Sequence, residues 1–247
     1  MYFKKIILKA EGITDKNINK IHFISQGNKK KFSYQLTMQH LRTKATRNSI
    51  NNMSNCLLQI LADMNVSQEQ RDKFKTSKNS VKYIHENIFT NKKEIKKITK
   101  RYKNFIWILG INKTGEPFLT TDNPITNRPH KFNEYISMSG LMSEGIEVFF
   151  PLSPELILIM FDNQYHSSLK KYNRKCYYMN NTEVRSYNAQ SCLFSERFIY
   201  SINDDFSVIN DILDIDKNIF NSPNISVNWN GKTYTPNSLN NEDSTVN

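Results

Sequence analysis

The hydrophobic period of the chain changes at Asn104, and that change limits the fold more than any other feature. Before it, apolar residues recur at helical spacing; after it, they come in short β-prone runs separated by turn residues. Upstream, Ile18, Ile21 and Ser25 follow Asp15 at helical spacing, with Gly27 as a stop. A longer helix is predicted over 33–64, where Met53, Leu57, Ile60, Leu61 and Met64 form one core-facing stripe. Ser67 followed by Gln70 has capping-box spacing. The stretch 80–103 carries Val81, Ile84, Ile88, Ile95, Ile98 and Tyr102 among lysines, which predicts two helices broken near Asn91.

Downstream, 105–109 and 118–121 flank the turn residues 113–116 and predict a hairpin. A second strand pair is predicted at 145–150 and 156–161, divided by Pro151 and Pro154, which cannot sit inside a central strand. A short strand at 176–179, a helix capped by Thr182 and running to Phe194, and a last strand at 197–201 complete the pattern. Helices first and strands after, without internal repeats, point to an α+β fold: a helical half (1–104) packed on a mixed or antiparallel sheet (105–235). No linker-like stretch divides the 247 residues, so one domain over 1–235 is expected, with a polar, disordered tail at 236–247.

Apolar residues make up 38% of the chain and aromatics 12%, enough for a packed interior. The longest apolar runs fall far short of the roughly 20 residues that cross a bilayer, and the N-terminus lacks the length of a secretory signal, so no membrane association is expected. Three widely spaced cysteines, Cys56, Cys176 and Cys192, fit reduced thiols in a cytoplasm. The formal charge of +11 is open to two readings, a polyanionic partner such as nucleic acid or a compositional bias toward lysine and asparagine. The segment 91–103 concentrates this charge: Lys92, Lys93, Lys96, Lys97, Lys100, Arg101 and Lys103 stand against Glu94 alone, with Ile95, Ile98 and Tyr102 on the buried side. Lys96 and Lys100 are candidate phosphate-contacting residues of that face.

The most distinctive polar stretch is Thr120-Thr121-Asp122-Asn123-Pro124, where a strand ends in hydroxyl, carboxylate and amide groups and is stopped by proline. An Asx turn through the local backbone accounts for the same residues without a ligand. Gln39 and Arg42 share one helix face at i, i+3, and Arg42 can either pair with Asp122, joining helix to sheet, or hold an anionic ligand such as phosphate while Asp122 acts as base or metal ligand. Asp122 after one strand and Glu147 within the next are also candidate carboxylates for the divalent ion of a metal-dependent nuclease, although no lysine follows Glu147 at the usual spacing. The five histidines have no metal-ligand spacing, and neither a glycine-rich phosphate loop nor a serine-hydrolase elbow is present, so no cofactor is identified.

Gln39-His40-Leu41-Arg42-Thr43, then 118–124, then Pro151-Leu152-Ser153-Pro154, and finally Asn188 on a late helix followed by 197–201, resemble the motifs of the family known as domain of unknown function 4238. The resemblance covers roughly 33–201. It implies a shared fold and a shared site, with Asp122 and Arg42 as candidate catalytic residues and Gln39, Thr121, Asn123, Ser153 and Asn188 as candidate binding residues. Two departures stand out: Thr121 replaces the usual serine, and Lys44 stands where a proline commonly follows. Family members also open with an H-x-x-P-x-x-Y-L stretch that has no match here. If its histidine belongs to a working site, this chain is inactive or acts with a protein that supplies it. The expected function is binding or processing of an anionic ligand such as nucleic acid. The alternative is a non-catalytic interaction or structural domain whose polar motif residues stabilise the fold.

Overall fold

The structure, a computed structural model, describes residues 6, 13–14, 17–18, 20–73, 87, 90–132, 138–217 and 227–236. The expected helix over 80–90 and the expected tail beyond 236 therefore lie almost wholly outside the described residues.

Helix α1 (Gln26–Leu41) is capped by Ser25, whose hydroxyl accepts the Asn28 amide at 3.2 Å. Gly27 is thus in the first turn and is not a stop; burial of Phe32 and Leu36 outweighs the roughly 1 kcal/mol that a helical glycine costs. The helix expected over 33–64 is two. It breaks at Thr43, whose Oγ1 donates to the His40 carbonyl at 3.0 Å and accepts the Thr46 amide at 3.2 Å, starting α2 (Lys44–Asp63). Ser67 caps the short α3 (Gln68–Asp72), as its spacing predicts, and Asn91 caps α4 (Lys92–Asn104) through the Lys93 and Glu94 amides.

Five strands form one mixed sheet in the order β3 (Thr126–Pro129), β4 (Ile146–Ser153), β5 (Leu156–Phe161), β1 (Ile106–Asn112), β6 (Lys175–Met179). All neighbours are antiparallel except β1 and β6. The hairpin expected between 105–109 and 118–121 does not form. All seven residues of β1 are buried, so the strand takes the inside of the sheet between β5 and β6. Thr120–Thr121 (β2) pairs instead with β7 (Ile199–Tyr200). Pro151 does lie inside β4, but β3 pairs only as far as Phe149, so the proline has no ladder partner on that edge, and the register shifts just beyond it.

Helices α1 and α4 cover one face of the sheet, where Phe32, Leu36 and Tyr102 pack among Trp107, Leu109, Val148, Leu158 and Met160. The other face is covered by α5 (Asn181–Leu193), with Val184 and Tyr187 on Phe149, Ile157 and Ile159. α5 begins at Asn180, two residues before the expected Thr182, because Asn180 and Glu183 form a reciprocal capping box. Helix α6 (Ser207–Ile215) adds a small core with Leu119, Cys192 and Ile199.

α2 packs Cys56 and Ile60 on the hairpin of β8 (Val227–Trp229) and β9 (Lys232–Tyr234). Its apolar stripe is not core-facing as a whole: Met53 and Met64 are 63% and 57% exposed, because the hairpin covers only the flank that carries Cys56 and Ile60. All three cysteines are buried and unpaired, and no described helix is long and apolar enough to cross a membrane.

Candidate functional site

The motif residues of the second half converge on one extended segment, 116–124. Asn188, buried on α5, accepts the Leu119 amide at 2.9 Å and donates to the Pro117 carbonyl at 2.9 Å. From the opposite side, the Phe118 amide donates to the Pro154 carbonyl at 2.9 Å, which ties the Pro-Leu-Ser-Pro turn to the same segment. Ser153 itself accepts only the Glu155 amide, at 3.3 Å, within its own turn. The buried Thr121 accepts the Asn123 amide at 3.1 Å, and Asn123 Nδ2 donates to the Phe194 carbonyl at 3.0 Å.

Asp122 Oδ1 accepts the amides of Glu196 and Arg197 at 3.0 and 3.3 Å, while its Oδ2 lies 3.4 Å from Arg197 Nε. The Asp122 amide donates in turn to the Phe198 carbonyl at 3.2 Å. Asp122 therefore makes neither the local Asx turn nor the ion pair with Arg42 that its sequence allowed; its charged partner is Arg197. Burial alone would raise its pKa, but the backbone amides of 196–198 and the Arg197 guanidinium outweigh it, and the carboxyl is held below the ordinary aspartate value.

Arg42 caps the C-terminus of α1 with an exposed side chain, beside the half-buried Gln39. The two motif halves nevertheless meet through an intermediary: Asn48, in the first turns of α2, donates to the Glu196 carboxylate, and the Glu196 amide is held by Asp122. The corner between α1 and α2 thus stands beside the turn that Asp122 organises.

The same corner borders a cleft of about 540 Å³, lined by His40, Leu41 and Thr46 on one side, Glu94, Lys97 and Ile98 of α4 on another, and 140–143 on the third. Arg101 holds the third wall, donating to the carbonyls of Leu141 and Ser143 at 3.0 and 2.8 Å while it pairs with Asp162 at 3.4 Å. His40 shares a hydrogen bond of 2.6 Å with Tyr102, and burial pushes its imidazole down to about 4, so the ring is neutral at pH 7. Along α4, Lys93, Lys96, Lys97, Lys100 and Lys103 are exposed on the side away from the buried Tyr102, with Lys97 lying 3.9 Å from Glu94.

Glu147 does not join Asp122 at a two-carboxylate centre. It is buried beneath α5 and bonded to His130 at 2.6 Å, while Asp122 is engaged by 196–198. His130 and His166, far apart in sequence, meet with ring centroids 4.9 Å apart. Among the described residues, no group of histidine, cysteine or carboxylate side chains has a metal-binding arrangement. Residues that sequence reasoning missed are Asn48, Glu196 and Phe194, which join the motif stretches; none stands in a recognisable spacing, because the contacts span 71 to 148 residues of chain.

No curated protein and no solved structure matches the chain. A family model described as a protein of unknown function, DUF4238, matches residues 3–205, extending the resemblance beyond both ends of the motif stretches. The match takes in every motif residue and the whole five-stranded sheet, and the chain is a member of the DUF4238 family.

Proposed function

We propose that the chain binds a polyanion, with nucleic acid as the ligand class, across the cationic face of α4 and the neighbouring corner of α1 and α2. The carrying observation is the row of exposed lysines from Lys93 to Lys103, opposed by Glu94 alone on the same helix. At 1.5 Å of rise per residue the row extends about 15 Å, long enough to follow several phosphates. Arg42, Lys44 and Arg47 are exposed beyond the cleft, so the basic surface continues from Lys97 past Thr46 onto α2. Arg42 contributes a phosphate-binding guanidinium in this reading. Asp122 and Asn123 act indirectly, by holding the 194–198 turn against α2.

Equilibrium binding of labelled oligonucleotides across a salt series tests the proposal. Affinity is expected to fall linearly on log–log axes, and charge reversal at Lys93, Lys96 and Lys100 should flatten the slope by about 0.9 for each duplex phosphate that is no longer neutralised. Binding that is absent, or indifferent to salt, overturns it. A second reading, a non-catalytic domain whose polar motif residues stabilise the fold, is supported by the bonding of Thr121, Asp122, Asn123 and Asn188, each of which engages backbone groups.

A further inference from the structure

Strand β7 and the residue before it leave two aromatic rings uncovered. Phe198 and Tyr200, two residues apart, are 52% and 51% exposed, while Ile199 between them packs into the core of α6. Alternation along a strand puts both rings on one side. Their centroids are 6.2 Å apart with planes inclined by 36°, so the two faces stand side by side instead of closing edge-to-face on each other. Arg197, 54% exposed on its side chain, holds its guanidinium 5.3 Å from the Phe198 ring. Asp122 fixes that arginine at its Nε, which leaves both terminal nitrogens without a bond to the carboxylate.

A solvated strand edge does not explain two adjacent aromatic side chains that are half exposed, one of them with a guanidinium against its ring. The near end of the patch adjoins Asn48 through Glu196, and with it the exposed Lys44 and Arg47 of α2. A ligand with apolar faces and a negative backbone would lie on the rings with its charge toward Arg197 and that basic corner, in line with the cleft and α4.

We infer that Phe198, Tyr200 and Arg197 form a stacking platform for unpaired bases, so that the nucleic acid taken by this protein is single-stranded. Bases stack on exposed rings whatever their identity, and in a duplex those faces are already stacked on their neighbours. The inference rests on the polyanion reading and adds to it a preference for strand state. The role of the Asp122 motif follows: it positions Arg197 beside Phe198.

Fluorescence anisotropy on the full chain, with labelled 20-mers of single-stranded DNA, single-stranded RNA and duplex DNA in the same buffer, tests the inference. Single strands are expected to bind more tightly than the duplex. Phe198→Ala and Tyr200→Ala should each weaken single-strand binding about 5- to 100-fold with duplex binding unchanged, and Tyr200→Phe should retain it. The two single-stranded probes separate DNA from RNA. Circular dichroism melts of the variants check that they fold, as expected for exposed positions. If wild-type protein binds both strand states equally, or the alanine variants lose nothing while the α4 charge reversals weaken all probes, the platform is refuted and the polyanion reading stands. If no probe binds, both fail.

Discussion

Asp122 is the residue on which the second half of the motif closes. Its two oxygens take two backbone amides and one guanidinium from a turn more than 70 positions away in the chain. Asp122→Ala leaves the Glu196 and Arg197 amides without their acceptor, and is expected to cost about 1–3 kcal/mol in urea denaturation. Asp122→Asn keeps an acceptor oxygen but loses the charge opposite Arg197, so a smaller loss is expected. Because the folded-state pKa is lowered, the charge contributes stability above the unfolded aspartate pKa and loses it as pH falls through the folded value. The difference between wild type and Asp122→Asn should therefore shrink as denaturation is repeated at pH values descending below about 4. The strand exit at Asp122-Asn123-Pro124 was legible as a place of polar convergence. Its partners were not, since Glu196 and Phe194 belong to a turn whose position depends on α5 and β7.

At the scale of elements, β1 governs the sheet. An uninterrupted apolar run is compatible with a hairpin edge or a central strand, and the side chains decide for the centre because both faces need cover. Gly110 shows how tight that cover is: a Cβ there would overlap Met179 Sδ on β6 and lie 2.8 Å from Ile157 Cγ2 on β5. Gly110→Ala is expected to lower stability by about 1–3 kcal/mol in thermal or urea melts, and Met179→Ala should cost less in the Gly110→Ala background than in the wild-type chain, because it removes one of the overlapping side chains. The ends of the elements were partly legible. Ser67 and Asn91 cap α3 and α4 where their residue types predict, but the break at Thr43 interrupts a continuous helical period and owes its place to α1 lying on α4 while α2 lies on the β8–β9 hairpin. That hairpin is outside the expected strands, although Asn230 and Gly231, with φ of 48° and 76°, make the two-residue turn that an Asn-Gly pair signals most strongly.

Across the whole molecule, Lys29 joins the helical layer to the sheet. It is buried, donates to the Phe105 carbonyl at 2.6 Å and to Asn173 at 3.3 Å, and lies over Trp107. Burial, and then the nearby Arg174 and Lys103 charges, push its pKa down to about 8. The unfolded chain, with a lysine pKa near 10.4, binds the proton more readily between these values, so this contribution to stability rises with pH from about 8 to 10. Thermal melts across that window should show a rise in wild type that is missing in Lys29→Met, measured as the difference between the two. The sequence by itself determined the class of fold, the positions of most helices and strands, the family, and the cationic character of α4, because period, capping chemistry and charge run are local properties. Tertiary structure decided which strands pair, which face of α2 is covered, that Asp122 meets Arg197 and not Arg42, and that Phe198 and Tyr200 stay uncovered. Each of these depends on contacts between segments tens of residues apart, where many pairings satisfy the same local pattern and only the packing of the whole selects one.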